Sequence, residues 1–321
     1  MGADVLSTLL KPVRIAGSLQ FCVHAAGHWQ TDGAPRMGKV AQAAIPAIPF
    51  HVVANGKCWV RLEGHALDLE EGDVVAFPFA TGHSLGLGEG GPLICPTDDL
   101  PPRPWADVPV LRYGTGHLST RLLCGFISLE AMNFRPLREA LPVVIQIKSS
   151  APNTSTLVRS AVQELIAEAD ARSPGGTSVV ERLTEIILVE LLRSEIVARQ
   201  GTARGLLAGM ADPIVARALG SMHESPKENW TVASLAKTSA TSRSVLADRF
   251  GSIIGKSPMR YLREWRLFLA SNALADTRRP ISHIAEEAGY DTEAAFSRAF
   301  SRLHGVPPAR WRAQARAQHN A

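Results

Sequence analysis

Through the first 125 residues the apolar positions fall in short runs broken by turn residues. Phe50-His-Val-Val53, Cys58-Trp-Val-Arg-Leu62 and Val74-Val-Ala-Phe77 are rich in β-branched and aromatic side chains, and Ala54-Asn-Gly56, Glu63-Gly-His65 and Glu70-Glu-Gly-Asp73 separate them. Short strands at regular spacing predict an all-β sandwich or barrel. Pro92 to Pro109 carries too many prolines for a continuous ladder and reads as an irregular strap or lid over that barrel.

Further on the period changes. Thr156 to Ala171 and Ser178 to Gln200 place apolar residues three and four apart, among them Val179, Leu183, Ile186, Ile187, Leu191 and Ile196. The pattern predicts two amphipathic helices hinged at Ser173-Pro-Gly-Gly-Thr177. Their apolar faces need a partner, either the chain's own β domain or a second copy in a homodimer. Gly201 and Gly205 are placed to end the second helix, so Gln200 to Gly205 reads as a linker. The expected domains are therefore 1-125 (β), 126-205 (helical connector, its hairpin a candidate for dimerisation) and 206-321 (all-α).

The most specific pattern begins at Trp230. Val232-Ala-Ser-Leu-Ala236 supplies an apolar stripe ending in a small residue, and Ala240 occupies a turn. Ser242-Arg-Ser-Val-Leu-Ala-Asp-Arg-Phe250 follows, with Val245, Leu246 and Phe250 expected on one buried face. A helix-turn-helix needs a small side chain where its helices cross and, four positions later, a residue tolerant of unusual backbone angles. The same arrangement returns 49 residues on: Ile281, Ile284 and Ala285, then Gly289 at the turn, then Asp291 to Phe300 with Phe296 and Phe300 buried. Between the units, Pro258 to Leu274 reads as one long helix with Pro near its start. The units span 232-250 and 281-300.

These residues resemble a known family. Gly255-Lys-Ser-Pro-Met-Arg-Tyr-Leu-Arg-Glu-Trp-Arg-Leu267, Ile284-Ala-Glu-Glu-Ala-Gly-Tyr290, Phe296-Ser-Arg-Ala-Phe300 and Gly305-Val-Pro-Pro-Ala-Arg-Trp-Arg312 are similar, in order and separation, to the DNA-binding domain of AraC/XylS-type transcription regulators. The resemblance covers roughly residues 211 to 313. It implies two recognition helices entering successive major grooves about one helical turn (~34 Å) apart. Arg243, Ser244, Ala247 and Asp248 are then base-reading candidates in the first unit, and Thr292, Glu293, Ala294, Ser297 and Arg298 in the second. Arg298 is the foremost, because a guanidinium bonds both major-groove acceptors of guanine at once. Ala247 and Asp248 make the first unit a weak reader, since alanine meets only a thymine methyl and aspartate repels phosphate. Lys256, Arg263, Arg310 and Arg312 are phosphate-clamp candidates. The family also implies a cytoplasmic activator that contacts double-stranded promoter DNA and RNA polymerase.

Composition narrows the remaining classes. With 45% hydrophobic and 20% charged residues in 321, the chain is ordinary globular protein, which excludes disorder, collagen and coiled coil. Four cysteines without a C-x-x-C pair argue against a disulfide framework or a structural zinc module and favour a reducing cytoplasm. No apolar run approaches the ~18 residues of a membrane span, and the start lacks a signal-peptide pattern. The net charge of +4 is unevenly spread: residues 230 to 321 hold 14 basic against 7 acidic residues, and the rest hold 20 against 23. A cationic C-terminal third on a slightly acidic body suits a polyanion partner.

The front half resembles a cupin-like sensor. Gly72-Asp-Val-Val-Ala-Phe-Pro78 and Gly82-His83 are similar to the second half of a cupin signature. Metal-binding cupins carry an earlier His-x-His pair and a Glu, whereas the matching strand here offers only His51. No cofactor is expected; a metal on His51 with His83, or His24 with His28, is the less favoured option. Cys22, Cys58 and Cys95 are alternative sensors, Cys58 because Lys57 precedes it and a nearby cation favours the reactive thiolate. The full architecture expected is an N-terminal all-β cupin-like barrel, a helical hairpin, and a C-terminal all-α double helix-turn-helix domain. The function expected is a DNA-binding regulator, not an enzyme, that senses a small-molecule effector or an oxidant. The competing readings are a metal-dependent cupin enzyme and a repressor released by its ligand.

Overall fold

The computed structural model describes residues 4–12, 15–32, 47–102, 105, 107–117, 119–171, 173–199 and 204–319. It resolves into two compact units that do not follow chain order: Ile15–Leu129 with Leu141–Glu195, and Met1–Arg14 with Glu130–Ala140 and Ile196–Ala321. Most of the linker expected at Gln200 to Gly205 lies outside the described residues. The chain opens with a short helix, α1 (Val5–Leu10), capped by the Asp4 carboxylate on the Ser7 amide and belonging to the second unit.

Among the described residues the first unit is built on eleven strands: β1 (Ile15–Ala26), β2 (Trp29–Thr31), β3 (Ala47–Asn55), β4 (Lys57–Leu62), β5 (His65–Glu70), β6 (Val74–Ala76), β7 (Ser84–Leu87), β8 (Leu93–Ile94), β9 (Val110–Tyr113), β10 (Ser119–Leu129) and β11 (Ile145–Ile147). One sheet runs β11-β6-β3-β10-β1-β9 and the other β5-β4-β7-β2-β8. The three strand runs singled out by sequence are β3, β4 and β6. The β4–β5 hairpin turns at Glu63-Gly64, with Leu62 opposite His65. Side chains from both sheets meet in one core, Phe21, Val53 and Leu122 on one side and Trp29, Val60 and Leu85 on the other. Alternation along each strand puts these residues inward together.

After α2 (Arg135–Ala140), which joins the second unit, the hairpin follows as α3 (Thr156–Ala171) and α4 (Gly176–Ala198). Its partner is the chain's own sheet. Gly17 of β1 sits so close to Thr184 of α4 that a Cβ there would meet the threonine side chain at 2.4 Å. This approach rotates the buried stripe of α4 onto Val180, Thr184, Ile187, Leu188 and Leu191, and leaves Val179 exposed, unlike the stripe expected from spacing. Arg121 of β10 ties down Asp170 of α3, with one nitrogen at 2.8 Å.

The second unit gathers α5 (Leu206–Ala211), α6 (Pro213–Glu224), α7 (Val232–Thr238), α8 (Arg243–Ile254), α9 (Pro258–Asp276), α10 (Ile281–Glu287), α11 (Glu293–His304) and α12 (Pro308–His319). Its centre is aromatic. Phe134, just before α2, packs edge-on against Trp265 at 5.1 Å between ring centroids, and His223 stacks on Trp265 at 4.2 Å. Val5 and Leu9 of α1 are buried here as well. Neither α1 nor the 130–140 segment was expected in this unit; each contributes a few large side chains to a core that otherwise forms from the last third of the chain.

Candidate functional site

The two helix-turn-helix units share one local geometry. In the first, Ala236 is buried where α7 meets α8, and the Thr241 amide donates to the Ala236 carbonyl at 3.0 Å. In the second, Ala285 is buried between α10 and α11, and the Tyr290 amide donates to the Ala285 carbonyl at 3.0 Å. Both turns take a left-handed residue, Ala240 at φ 53° and Gly289 at φ 78°. Both recognition helices end on a left-handed glycine, Gly255 or Gly305, before a proline-led helix, α9 or α12. The one long helix expected between the units is α9, and Ser257 caps it ahead of Pro258.

On α8, Arg243, Ser244, Ala247 and Asp248 are all exposed, and Leu246, Phe250 and Ile254 turn inward. Val245, expected in the core, is 46% exposed instead. Successive helix positions are ~100° apart, so burying Leu246 and Phe250 rotates Val245 outward. Arg249, also outward, is not available to a ligand: its guanidinium grips Asp212 at 2.6 and 2.7 Å, while the same carboxylate caps α6 through the Ile214 and Val215 amides. That pairing holds Asp212 below the usual carboxylate range, against its burial.

On α11, Glu293, Ala294 and Arg298 are exposed and Ser297 is half-buried. Thr292 is the N-cap, its hydroxyl accepting from the Ala295 amide at 3.2 Å, so its side chain is engaged in starting the helix. Arg243 and Arg298 have no acceptor among the described residues, and neither do Arg263 and Arg310 of the clamp set, which are also exposed.

The other two clamp candidates are placed differently. Lys256 is almost buried and paired with Glu264 at 2.7 Å, which removes it from the free cations. The Arg312 guanidinium donates to the Arg279 carbonyl at 2.6 Å, and burial followed by nearby Arg316 lowers its pKa. Lys256 ties the α8–α9 turn to α9, and Arg312 ties α12 to the segment between α9 and α10: the motif gave their charge, and packing decided their partners.

In the β unit, the structure brings His51 of β3 and His83 together, with their Nε2 atoms 2.9 Å apart, and adds Cys124 of β10, whose Sγ is 3.0 Å from His51 Nδ1. Sequence reasoning missed Cys124 as a site residue; its place opposite His51 in the β3–β10 ladder is visible only once the strands are paired. These three line a cavity with Trp29, Phe126 and other apolar side chains, and Pro96 and Thr97 of the proline-rich stretch also line it. Among the described residues no group of three His, Cys, Asp or Glu is arranged to hold a metal ion. His24 faces Arg112 at 3.4 Å, and burial together with Arg112 and Arg121 lowers its pKa, which suits a cation poorly.

The expectation for Cys58 is corrected. It is buried, and burial with the carboxylates of Asp73 and Asp68 pushes its thiol up to about 12, so Lys57 does not activate it. Cys22 is buried and also raised, although Arg121 opposes the shift. Cys95 is half-exposed, and all four cysteines are free thiols.

Residues 4–196 match the family described as Cupin, and residues 235–314 match the Helix-turn-helix domain. Over 312 residues, 96% of this chain and 98% of the relative, the sequence is 32% identical to a putative AraC-like transcription regulator of Streptomyces lividans. The chain belongs to the AraC-like transcription regulators. A second such regulator, from Streptomyces antibioticus, is 29% identical over 317 residues, covering 96% of this chain and 98% of that one. The RCS-specific HTH-type transcriptional activator RclR of Escherichia coli K12 is 28% identical over 275 residues, 85% of this chain and 86% of its own. The regulator thus joins a cupin domain to a DNA-binding helix-turn-helix domain. No described helix is long and apolar enough to cross a membrane.

Proposed function

We propose that this AraC-like regulator acts in the cytoplasm as a transcription activator, reading an operator with both helix-turn-helix units while its cupin domain senses a small molecule or oxidant. The observation that carries the reading is the duplicated turn geometry at Ala240 and Gly289, which gives α8 and α11 equivalent places in their units. In this reading Arg243, Ser244, Ala247 and Asp248 face bases of the first half-site, with Val245 added as an apolar contact for a thymine methyl. Glu293, Ala294, Ser297 and Arg298 face the second half-site. Arg263 and Arg310 fix the register through phosphates.

Activation by contact with RNA polymerase is favoured over repression by likeness to the E. coli relative, whose name makes it an activator. A sensing role for the cupin domain is favoured over an oxygenase or isomerase role by the donor set, two histidines and a thiol hydrogen-bonded to one another. Transcription from a promoter carrying a selected operator tests the sign of regulation. Increased transcript with the regulator present supports the proposal, and decreased transcript makes it a repressor.

A further inference from the structure

The α9 helix serves the cores of both helix-turn-helix units. Toward its start Tyr261 packs edge-on against Phe250 of α8, and Trp265 stacks with His223 of α6. Further along, Leu267, Ala270 and Leu274 share a core with Ile284, Phe296 and Phe300 of α10 and α11. The common rod sets how far apart α8 and α11 stand. The angle between them depends also on what bridges the two units beside the rod.

There the units leave a cleft. Its volume is about 160 Å³, and it is lined by Leu269, Ala270 and Ala273 of α9 and by Ile284 and Ala288. Protein interiors are close-packed, so open space on this scale means that apolar packing does not by itself hold the units at one angle.

Polar groups complete the lining and span it. The Arg266 guanidinium of α9 donates through Nε to the Pro226 carbonyl at 2.6 Å and through Nη2 to the Glu228 carbonyl at 2.8 Å, so α9 grips the loop that leads into α7. The same guanidinium lies against the turn of the second unit, where a Cβ built at Gly289 would meet Nη1 at 2.6 Å. Lys227 of the loop reaches Glu287 of α10 at 2.8 Å, and Arg279, between α9 and α10, binds the other oxygen of Glu287 at 2.7 Å. These two cations, Lys227 foremost, hold Glu287 below the usual carboxylate range against its burial. Lys227 is largely exposed, and an ion pair so placed adds little to stability. Its effect is on geometry: loop, rod, α10 and turn are joined through one guanidinium and one carboxylate.

We infer that Arg266, Lys227 and Glu287 are positioning residues for DNA recognition, which hold α8 and α11 at one mutual angle and thereby set the gap between half-sites that the regulator accepts. None of the three lies on a recognition helix. The inference rests on the reading of both units as DNA readers and adds the origin of their spacing preference. One base pair inserted between half-sites moves the second by about 3.4 Å and turns it by about 35°. Two modules joined rigidly gain avidity only at a gap that fits, whereas a loose joint spreads a weaker avidity over several gaps.

Fluorescence anisotropy of the full-length regulator on synthetic duplexes tests it. The duplexes carry the two motifs recovered by selection from random DNA, at the selected gap, with one base pair added or removed, or with one motif scrambled. The regulator should prefer its selected gap by about tenfold or more. Arg266→Gln and Glu287→Gln, each checked for a cooperative melt, should cut that ratio to about threefold or less, while the duplex with one motif binds as before and base preference within each motif is unchanged. Lys227→Arg keeps the pair with Glu287 and should keep the ratio. Arg263→Ala, which removes a phosphate contact, should weaken every duplex alike. Folded Arg266 and Glu287 variants that retain the wild-type ratio overturn the inference, as do variants that weaken every duplex by one factor. Loss of cooperative melting in both assigns the residues to folding alone and overturns it too. A regulator that binds paired motifs without preference among gaps also overturns it and leaves the reading by two units standing; selection of a single motif, or of none, fails that reading itself.

Discussion

Arg298 and Ala240 show how much rests on single side chains. Arg298 projects from α11 without an acceptor among the described residues, so its charge is available to a guanine edge. Arg298→Ala should cost ~1 to 3 kcal/mol in operator binding and relax selection at one base pair, which quantitative binding to single-base operator variants would reveal. A uniform loss at every sequence would instead make Arg298 a phosphate contact. Ala240 occupies the left-handed region at φ 53°, where an L-residue is strained by ~1 to 2 kcal/mol and glycine is not. After the entropy that glycine loses on folding, Ala240→Gly should still raise stability by ~0.5 to 1 kcal/mol in thermal melts. A lowered melting temperature would show that the turn tolerates alanine without strain. Lys256, two residues before the α9 start, and Arg263, five residues after it, should separate cleanly. Arg263→Ala should reduce the salt dependence of DNA binding by about one phosphate contact. Lys256→Ala should leave that slope alone and lower stability by roughly 1 kcal/mol, because Glu264 keeps only its longer contact to Arg260 at 3.4 Å.

Elements join in ways that periodicity does not record. The paired turns, the α9 rod and the strand runs at β3, β4 and β6 were legible because each depends on neighbours in sequence: a small residue four positions before a turn, proline at a helix start, alternation between glycines. The exposure of Val245, the rotated stripe of α4 and the ion pair of Lys256 were not, since each is settled by a partner distant in sequence or by the exact rotation of a helix. The place of α1 and Phe134 in the helical unit belongs to the same class. There His223 holds three elements together, with Nε2 accepting from the Tyr261 hydroxyl at 2.7 Å and Nδ1 facing the Thr8 hydroxyl of α1 at 3.4 Å. Burial pulls His223 down to about 3 and His304, beside Phe300, to about 4. Both stay neutral in the folded unit while the unfolded chain takes up protons below about pH 6.5. Their contribution is complete above pH 6.5 and is lost as pH falls toward the folded values, at about 1.4 kcal/mol per pH unit for each histidine. Melting temperature should thus hold steady from pH 8 to 7 and fall steeply below 6.5, and His223→Gln should flatten that fall. A profile unchanged by the substitution would assign the acid sensitivity elsewhere.

For the molecule as a whole, the uneven charge read from sequence has a structural counterpart. The basic excess of residues 230 to 321 includes arginines without acceptors among the described residues, on and near both recognition helices, while Arg249, Lys256 and Arg312 are spent on internal contacts. The cupin domain carries a cavity lined by His51, His83, Cys124 and Trp29. The central claim is that both units read DNA together. Selection of the full-length regulator on a library of random duplexes, sequenced after binding at two salt concentrations, tests that claim most directly. The account predicts enrichment of two short motifs about one helical turn apart, with stronger base preference in the half-site read by α11. Salt-sensitive retention with no enriched sequence, or a single motif that survives loss of the α8 side chains, would contradict it.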